Sequence, residues 1–259
     1  MAFTTHDGVT IHWDEKGSGT PVLLVMGATY SSAMWYPVID DLAQHHRVIW
    51  FDNRGIGQSS RKRTGSIQDM ASDAVAVLDA AGVEKAHVYG VSLGGVVVLQ
   101  LGLQSPERVL SLVVGCSGIL DDAKPRAPKG VTTVMAHLPW RFIVSMGKNG
   151  YGEAATPEAV AKDQAVLRAA KPSSAGLKQQ QDALRAYSVT KEAVAALPMP
   201  ILVLHGEADK TVPVAWGREL AETVGATLIT YPGSGHNYLV PYGPEANKEV
   251  LDFLATVES

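Results

Sequence analysis

The sequence has little of what disulfide-bonded or membrane-spanning proteins require. Its 259 residues include a single cysteine, Cys116, which cannot form a disulfide within the chain. We expect a buried thiol at the end of an apolar strand, and no oxidising compartment is implied. No segment approaches the length of a membrane span, and residues 1–8 have neither the positive charge nor the apolar run of a signal peptide. The sequence therefore predicts a cytoplasmic protein without membrane contacts.

An excess of positive charge is also missing. The chain has 22 Lys and Arg against 26 Asp and Glu, a formal net charge of −4, so it offers no basic stripe for a phosphate backbone. We expect no nucleic-acid partner. Apolar residues are plentiful, since 46% of the chain is hydrophobic and 19% charged, as in a globular protein with a substantial core. The length suits one large α/β domain with a modest insertion.

The order of the apolar segments predicts a mostly parallel sheet. Continuous apolar runs, typical of strands covered on both faces, alternate with segments whose apolar residues have helical spacing. The predicted strands cover residues 21–26, 47–51, 86–89, 109–114, 201–204 and 227–231, preceded by an alternating edge strand at 9–14. Such an alternation indicates right-handed crossovers between parallel strands.

This alternation stops between residues 119 and 197. Apolar residues there follow helical patterns interrupted by prolines, without a convincing strand. Candidate helices cover residues 130–137, 140–147, 157–170 and 173–187. We therefore predict a core domain made of residues 1–118 and 198–259, with a helical lid inserted at 119–197.

The stretch from residue 86 to 101 predicts a strand, a sharp turn and a helix, with Ser92 at the apex of the turn. Gly90 and Gly94 complete the pattern G-x-S-x-G. A serine at such an apex has a strained backbone, and the two glycines leave room for strand and helix to approach closely. This is the pattern of a nucleophile elbow, which exposes a hydroxyl above a sheet. Ser92 is the predicted nucleophile.

A serine hydroxyl needs a base to accept its proton and a carboxylate to orient that base. Asp209 and His236 each follow a predicted buried strand. Because the carboxyl ends of parallel strands share one edge of the sheet, both can converge on Ser92. Asp121 and Asp122, which follow an earlier strand, are rival candidates for the acid.

Acyl transfer also needs donors for a developing oxyanion, usually two backbone N–H groups. One is predicted to be that of Leu93, at the N-terminus of the elbow helix, where free amides and the helix dipole point at the site. The other is predicted to be that of Ala28, which follows Met26-Gly27 at the end of a strand.

Four motifs occur in an order found in one large superfamily. They are D-x-R-G-x-G-x-S at 52–59, G-x-S-x-G at 90–94, H-G-x-x-D-x-x-V-P at 205–213 and G-H at 235–236. On these motifs the chain resembles the α/β-hydrolase superfamily over essentially its whole length apart from the lid. The resemblance implies the α/β-hydrolase fold, a mostly parallel eight-stranded sheet flanked by helices with a helical lid.

Proteins of this kind include carboxylesterases, enol-lactonases, carbon–carbon hydrolases of dicarbonyls, cofactor-free perhydrolases and a few hormone receptors. Many carry His-Gly where this chain has Met26-Gly27, but backbone amides form the oxyanion hole, so we expect the hole to be retained. A serine at position 92, in place of an aspartate, disfavours epoxide hydrolase and haloalkane dehalogenase chemistry.

The predicted activity is hydrolysis of a small or medium carboxylic ester or lactone through an acyl-enzyme. Ser92 is the nucleophile, His236 the general base and then acid, and Asp209 the orienting carboxylate. This chemistry needs no metal and no cofactor, and we expect neither. Carbon–carbon hydrolysis of a dicarbonyl, or a ligand receptor that keeps the triad, are the alternatives. The sequence does not indicate an oligomeric state.

Only the sequence of the predicted lid gives information on the shape of the substrate. Its first part is rich in apolar side chains, of which we expect some to line the pocket over Ser92: Met135, Leu138, Trp140, Phe142 and Met146. The simpler alternative is that these side chains only pack the lid onto the main domain. A preference for anionic acyl groups would point instead to basic lid residues, namely Arg126, Lys129, Arg141 or Lys148.

Overall fold

The computed structural model describes residues 1–60, 65–125, 150–170 and 174–259. Eight strands form one sheet in the order β1-β2-β4-β3-β5-β6-β7-β8. They are β1 Ala2–His6, β2 Val9–Lys16, β3 Pro21–Val25, β4 Arg47–Phe51, β5 Ala86–Val91, β6 Val109–Gly115, β7 Ile201–Gly206 and β8 Thr227–Tyr231. Strand β2 pairs antiparallel with both β1 and β4, so the prediction of an edge strand at residues 9–14 is wrong. The edge strand on that side of the sheet is β1, which the sequence pattern did not predict. The remaining pairs are parallel. The predicted mostly parallel sheet is confirmed.

Helices cover both faces of this sheet. The described α-helices are α1 Ile39–Leu42, α2 Ile67–Ala80, α3 Leu93–Gln104, α4 Pro157–Ala169, α5 Ser174–Ala186, α6 Lys191–Ala195, α7 Val214–Val224 and α8 Leu239–Glu258. Short 3-10 helices occupy Ser32–Trp35 and Pro106–Arg108. No helix in the described ranges is both long and apolar enough to cross a lipid bilayer.

Local sequence explains several helix ends. Helix α2 begins at a capping box in which the Ser66 hydroxyl accepts the Asp69 backbone N–H and the Asp69 carboxylate accepts that of Ser66. Helix α8 contains a non-helical residue, Tyr242, and an internal proline, Pro244. The pattern predicted a last helix from Pro244, which corresponds to the part of α8 after this kink.

The core lies in two layers, one on each face of the sheet. Strand side chains alternate between the layers, so Val88 packs with α2 and α3, whereas its neighbour Tyr89 packs with Trp35 and α8. Strands β3 and β7 are buried along most or all of their length, which accounts for their continuous apolar sequences.

Sheet register places the functional loops together. Val25 at the end of β3 pairs with Gly90, Val91 with Gly115, and Gly206 at the end of β7 with Tyr231. The carboxyl ends of β3, β5, β7 and β8 therefore lie at one edge, which is where ligands bind in sheets of this type.

The predicted insertion is helical where it is described. Helices α4 and α5 match the candidate segments 157–170 and 173–187, whereas the candidates at 130–137 and 140–147 lie outside the described residues. Its described residues contain one isolated β-bridge, between Gly152 and Ser234. We propose that residues 119–197 form a lid inserted into the core domain.

Candidate active site

Ser92 lies in the turn between β5 and α3 with a backbone that L-residues rarely adopt. Its φ is 56° and its ψ is −120°, a strained conformation that persists only where the surroundings enforce it. A Cβ atom on Gly90 would lie 2.3 Å from the Gly94 carbonyl oxygen, and one on Gly94 would lie 2.0 Å from that of Val25. Only glycine fits at both positions, as the elbow pattern predicted.

Asp209 and His236 form a hydrogen-bonded pair at the same edge of the sheet. Asp209 follows β7, His236 follows β8, and His236 Nδ1 donates to Asp209 Oδ2 over 2.7 Å. The other carboxylate oxygen of Asp209 accepts the backbone N–H groups of Thr211 and Val212 at 2.7 and 2.9 Å. Because Nδ1 is bound to the carboxylate, Nε2 of His236 is the nitrogen left to exchange a proton.

The charge state of Asp209 follows from these contacts. Burial favours the neutral carboxyl, but the nearby ring of His205, the hydrogen bond and attraction of His236 and the Val212 amide outweigh it. Together they hold the pKa of Asp209 well below its usual range. The carboxylate of Asp209 is therefore ionised at neutral pH.

A second histidine supports the same carboxylate. His205 Nε2 donates to the Val212 carbonyl over 2.9 Å and lies 3.4 Å from Asp209 Oδ2. The motif H-G-x-x-D contains His205, but sequence reasoning gave this histidine no role. His205 is completely buried at the end of β7, and its hydrogen bond to the Val212 carbonyl holds the ring beside the acid.

Cys116 lies beneath the same carboxylate. It is buried, has a positive φ of 42°, and burial raises the pKa of its thiol well above the usual value. Its sulfur, with a His205 nitrogen and an Asp209 oxygen, forms the one group of three possible metal ligands within 4.8 Å among the described residues. Since Asp209 already accepts several donors, we interpret this group as support for the acid.

Ser92 and His236 line one cavity of about 970 Å³, which is large enough for a small organic ligand. Several other residues lining it are apolar or aromatic: Met26, Tyr30, Met34, Val91, Tyr238 and Leu239. A second group is polar or charged: Thr29, Glu153, Gln181, Lys210, Thr211 and Asn237. The residues predicted to line the pocket from the lid, Met135, Leu138, Trp140, Phe142 and Met146, lie outside the described residues.

The two candidate oxyanion donors directly follow the strand-end loops of β3 and β5. Ala28 lines the cavity, and Leu93 is the first residue of α3, so its N–H has no acceptor within the helix. The loop that carries Ala28 is fixed on both sides. Asn53 Nδ2 donates to the Met26 carbonyl over 2.8 Å, and Gln180 Oε1 accepts the Thr29 N–H over 2.7 Å.

The rival acids have other roles. Asp121 accepts the backbone N–H of Ala123 over 3.1 Å in a turn, and Asp122 is exposed. The structure brings Asp209, and neither of these carboxylates, to His236. Sequence reasoning did not identify Gln180 or Asn237, because neither belongs to a motif.

Known proteins resemble this chain along its whole length. Residues 20–142 match the family described as alpha/beta hydrolase fold, and residues 177–259 match the family described as TAP-like protein. The chain is 33% identical to RutD of Variovorax paradoxus, named as a candidate carbamate hydrolase, over 96% of this chain and 97% of that one. It is 27% identical to the pimeloyl-(acyl-carrier protein) methyl ester esterase of Pectobacterium carotovorum, over 94% and 98% of the two chains.

A solved structure agrees with these relatives. Est816, titled an N-acyl homoserine lactone degrading enzyme, superposes with a TM-score of 0.82 at 28% identity, covering 97% of this chain and 100% of that one. Fold, motifs and relatives thus coincide, and the chain belongs to the α/β-hydrolase superfamily. Two of these similar proteins bear names that describe hydrolysis of a carbamate or an ester, and the third is titled as an enzyme that degrades a lactone.

Proposed function

We propose that the protein is a serine hydrolase that cleaves a small or medium carboxylic ester or lactone through an acyl-enzyme. The observation that carries this proposal is the 2.7 Å hydrogen bond from His236 Nδ1 to Asp209, formed beside the cavity that His236 lines together with Ser92. A base oriented by an ionised carboxylate is what a serine nucleophile requires.

The proposed reaction begins with attack of Ser92 Oγ on the carbonyl carbon, while His236 Nε2 accepts the hydroxyl proton. The backbone N–H groups of Ala28 and Leu93 bind the resulting oxyanion. His236 then returns the proton to the leaving alcohol, and an acyl group remains on Ser92. A water molecule, deprotonated by His236, releases the acid by the same steps in reverse order.

The cavity supports a moderately sized substrate. Its volume of about 970 Å³ and its aromatic and aliphatic residues suit an acyl chain or a ring. The lactone-degrading Est816 and the methyl ester esterase are similar to this chain along almost its whole length. A carbamate is a second candidate, favoured by the 33% identity to RutD, because its carbonyl reacts through the same steps.

The test is a panel of p-nitrophenyl esters, acyl homoserine lactones, aryl carbamates and vinylogous diketones, with Ser92→Ala as the matched variant. Losing one hydroxyl at a half-buried apex removes the nucleophile and little packing, so we expect a folded variant without activity. Turnover of esters or lactones by the wild type and none by the variant supports the proposal.

Three results would contradict the ester or lactone assignment. Activity on diketones alone would identify a carbon–carbon hydrolase, and activity on carbamates alone would identify a carbamate hydrolase. A single turnover that leaves a long-lived complex would favour a receptor. Full activity of Ser92→Ala would refute the mechanism itself.

A further inference from the structure

The loop that carries His236 is bound along its length by a short segment that precedes α4. We call this segment, residues 150–154, the strap. The N–H of Gly235 donates to the Tyr151 carbonyl over 3.1 Å, and the N–H of Asn237 donates to the Gly150 carbonyl over 2.8 Å. Both neighbours of His236 are therefore fixed by backbone hydrogen bonds to the strap.

The strap and the histidine loop lie so close together that two positions accept only glycine. A Cβ on Gly235 would lie 2.4 Å from the Gly150 carbonyl oxygen, and one on Gly152 would lie 2.2 Å from that of Gly233. At the other end of the strap, the Ala154 N–H donates to the Gly233 carbonyl over 3.1 Å. The histidine loop and the strap thus lie backbone to backbone.

Asp163 of α4 connects side chains from both segments. Its Oδ2 atom accepts the Tyr151 hydroxyl at 2.7 Å and the Asn237 side-chain amide at 3.1 Å. Tyr36, after the first 3-10 helix, also favours the ionised form of this carboxyl. Asp163 is 2% exposed, and burying a carboxyl group is costly unless donors surround it. Burial raises the pKa of Asp163, although its hydrogen-bond donors act in the opposite direction.

A carboxyl group in this place does more than packing requires. An apolar side chain would fill the same space in α4 without the cost of desolvation. The carboxyl instead joins α4, the strap and the residue that directly follows the catalytic base, which no apolar side chain can do.

We propose that Asp163 is a positioning residue for His236: through Tyr151 and Asn237 it fixes the loop whose histidine must reach both Asp209 and Ser92. The inference rests on the proposed function of His236 as the base. Asp163 touches neither substrate nor reacting atoms, so its loss slows proton transfer without removing a reacting group.

The test compares Asp163→Ala, Asp163→Asn and Tyr151→Phe with a stability control, Val194→Ala. Val194 is buried in α6 and packs into the core layer on the other face of the sheet. Two measurements report on His236 directly. One is the downfield proton NMR resonance of the His236–Asp209 hydrogen bond, and the other is the rate at which a fluorophosphonate labels Ser92.

We expect Asp163→Ala to slow labelling at least about tenfold, because small misplacements of reacting groups have large effects on rate, and to shift or broaden the resonance. Asp163→Asn keeps an acceptor oxygen and should restore most of both signals. Tyr151→Phe, which removes one hydroxyl and keeps the ring, should slow labelling by a smaller factor. Val194→Ala should lower the urea midpoint and change neither signal.

Wild-type labelling and an unshifted resonance in Asp163→Ala would overturn the proposal, as would equal effects of Val194→Ala. If Asp163→Ala does not fold, unchanged signals in Tyr151→Phe overturn it in the same way. The resonance can be measured without a substrate, so it tests the positioning role even if no ester is hydrolysed. A failure of the proposed function can therefore be distinguished from a failure of this inference.

Discussion

Gln180 Oε1 accepts the backbone N–H of Thr29 at 2.7 Å across 151 positions of sequence. Thr29 has a positive φ of 76°, and it directly follows Ala28, the candidate oxyanion donor. Gln180 is completely buried in α5. Helix α5 therefore holds the loop of the candidate oxyanion donor in a conformation that a threonine would otherwise leave.

Replacing Gln180 by Ala should lower kcat roughly tenfold while KM changes little. Loss of one oxyanion donor costs about 10²–10³ in kcat, and here the donor is displaced, not removed. Lys178→Ala on the same helix, which removes only a surface ion pair with Asp182, should keep wild-type activity. Steady-state kinetics and the affinity of a boronic acid would test this, and an unchanged kcat in Gln180→Ala would refute it.

Asp209→Asn should reduce kcat by about 10⁴-fold, the size of the effect recorded for the equivalent change in another serine triad. The amide would donate to Nδ1 of His236 and so select the wrong tautomer. Asp121→Asn and Asp122→Asn are the matched controls and should retain activity. If either control were the inactive variant when hydrolysis is measured, the acid would lie after β6 instead.

Stability should fall at mildly acidic pH because of His87. This ring is buried in β5, where Nδ1 bonds to the Ser111 hydroxyl at 2.7 Å and Nε2 lies 3.1 Å from Glu258. Burial lowers its pKa below the ordinary 6.5, although Glu258 acts in the opposite direction. The unfolded chain therefore takes up this proton at higher pH than the folded protein. The contribution of neutral His87 to the free energy of unfolding is complete above pH 6.5 and is lost as the pH falls below that value.

Urea unfolding between pH 8 and pH 5 would measure this contribution against His87→Gln, which keeps a donor and an acceptor but does not titrate. The difference in unfolding free energy should change by at most about 1.4 kcal/mol per pH unit, the limit for one proton. Parallel curves for the two proteins would show that His87 does not contribute.

Ester chain length should reveal the size of the acyl pocket. Each methylene buried against residues such as Met34 and Leu239 is worth at most about 0.8 kcal/mol, so kcat/KM should rise up to roughly fourfold per carbon. Beyond the length that fills the cavity it should fall. A flat profile from acetate to decanoate, measured with p-nitrophenyl esters, would show that apolar residues do not line the acyl site.

The sequence by itself determined seven of the eight strands of the sheet and the three residues proposed as nucleophile, base and acid. Gly90, Ser92 and Gly94 define the elbow within five residues, because the close approach of strand and helix there excludes side chains at both glycines. Asp209 and His236 could be chosen because each follows a buried strand, and parallel strands end at one edge. The fold is confirmed, and the catalytic roles remain predictions that the geometry supports.

Only the tertiary structure decided how the site is held in place. Asp163 and Asn237 are 74 positions apart, and Gln180 and Thr29 are 151 apart. Within their own helices Asp163 and Gln180 are ordinary polar residues. The spacing of apolar residues indicates which face of a helix is buried, but it does not indicate which carboxyl or amide group contacts a distant loop. A hydrogen bond forms only when donor and acceptor lie within about 3 Å of each other. These contacts therefore depend on how α4 and α5 pack over the edge of the sheet, which the local sequence does not show.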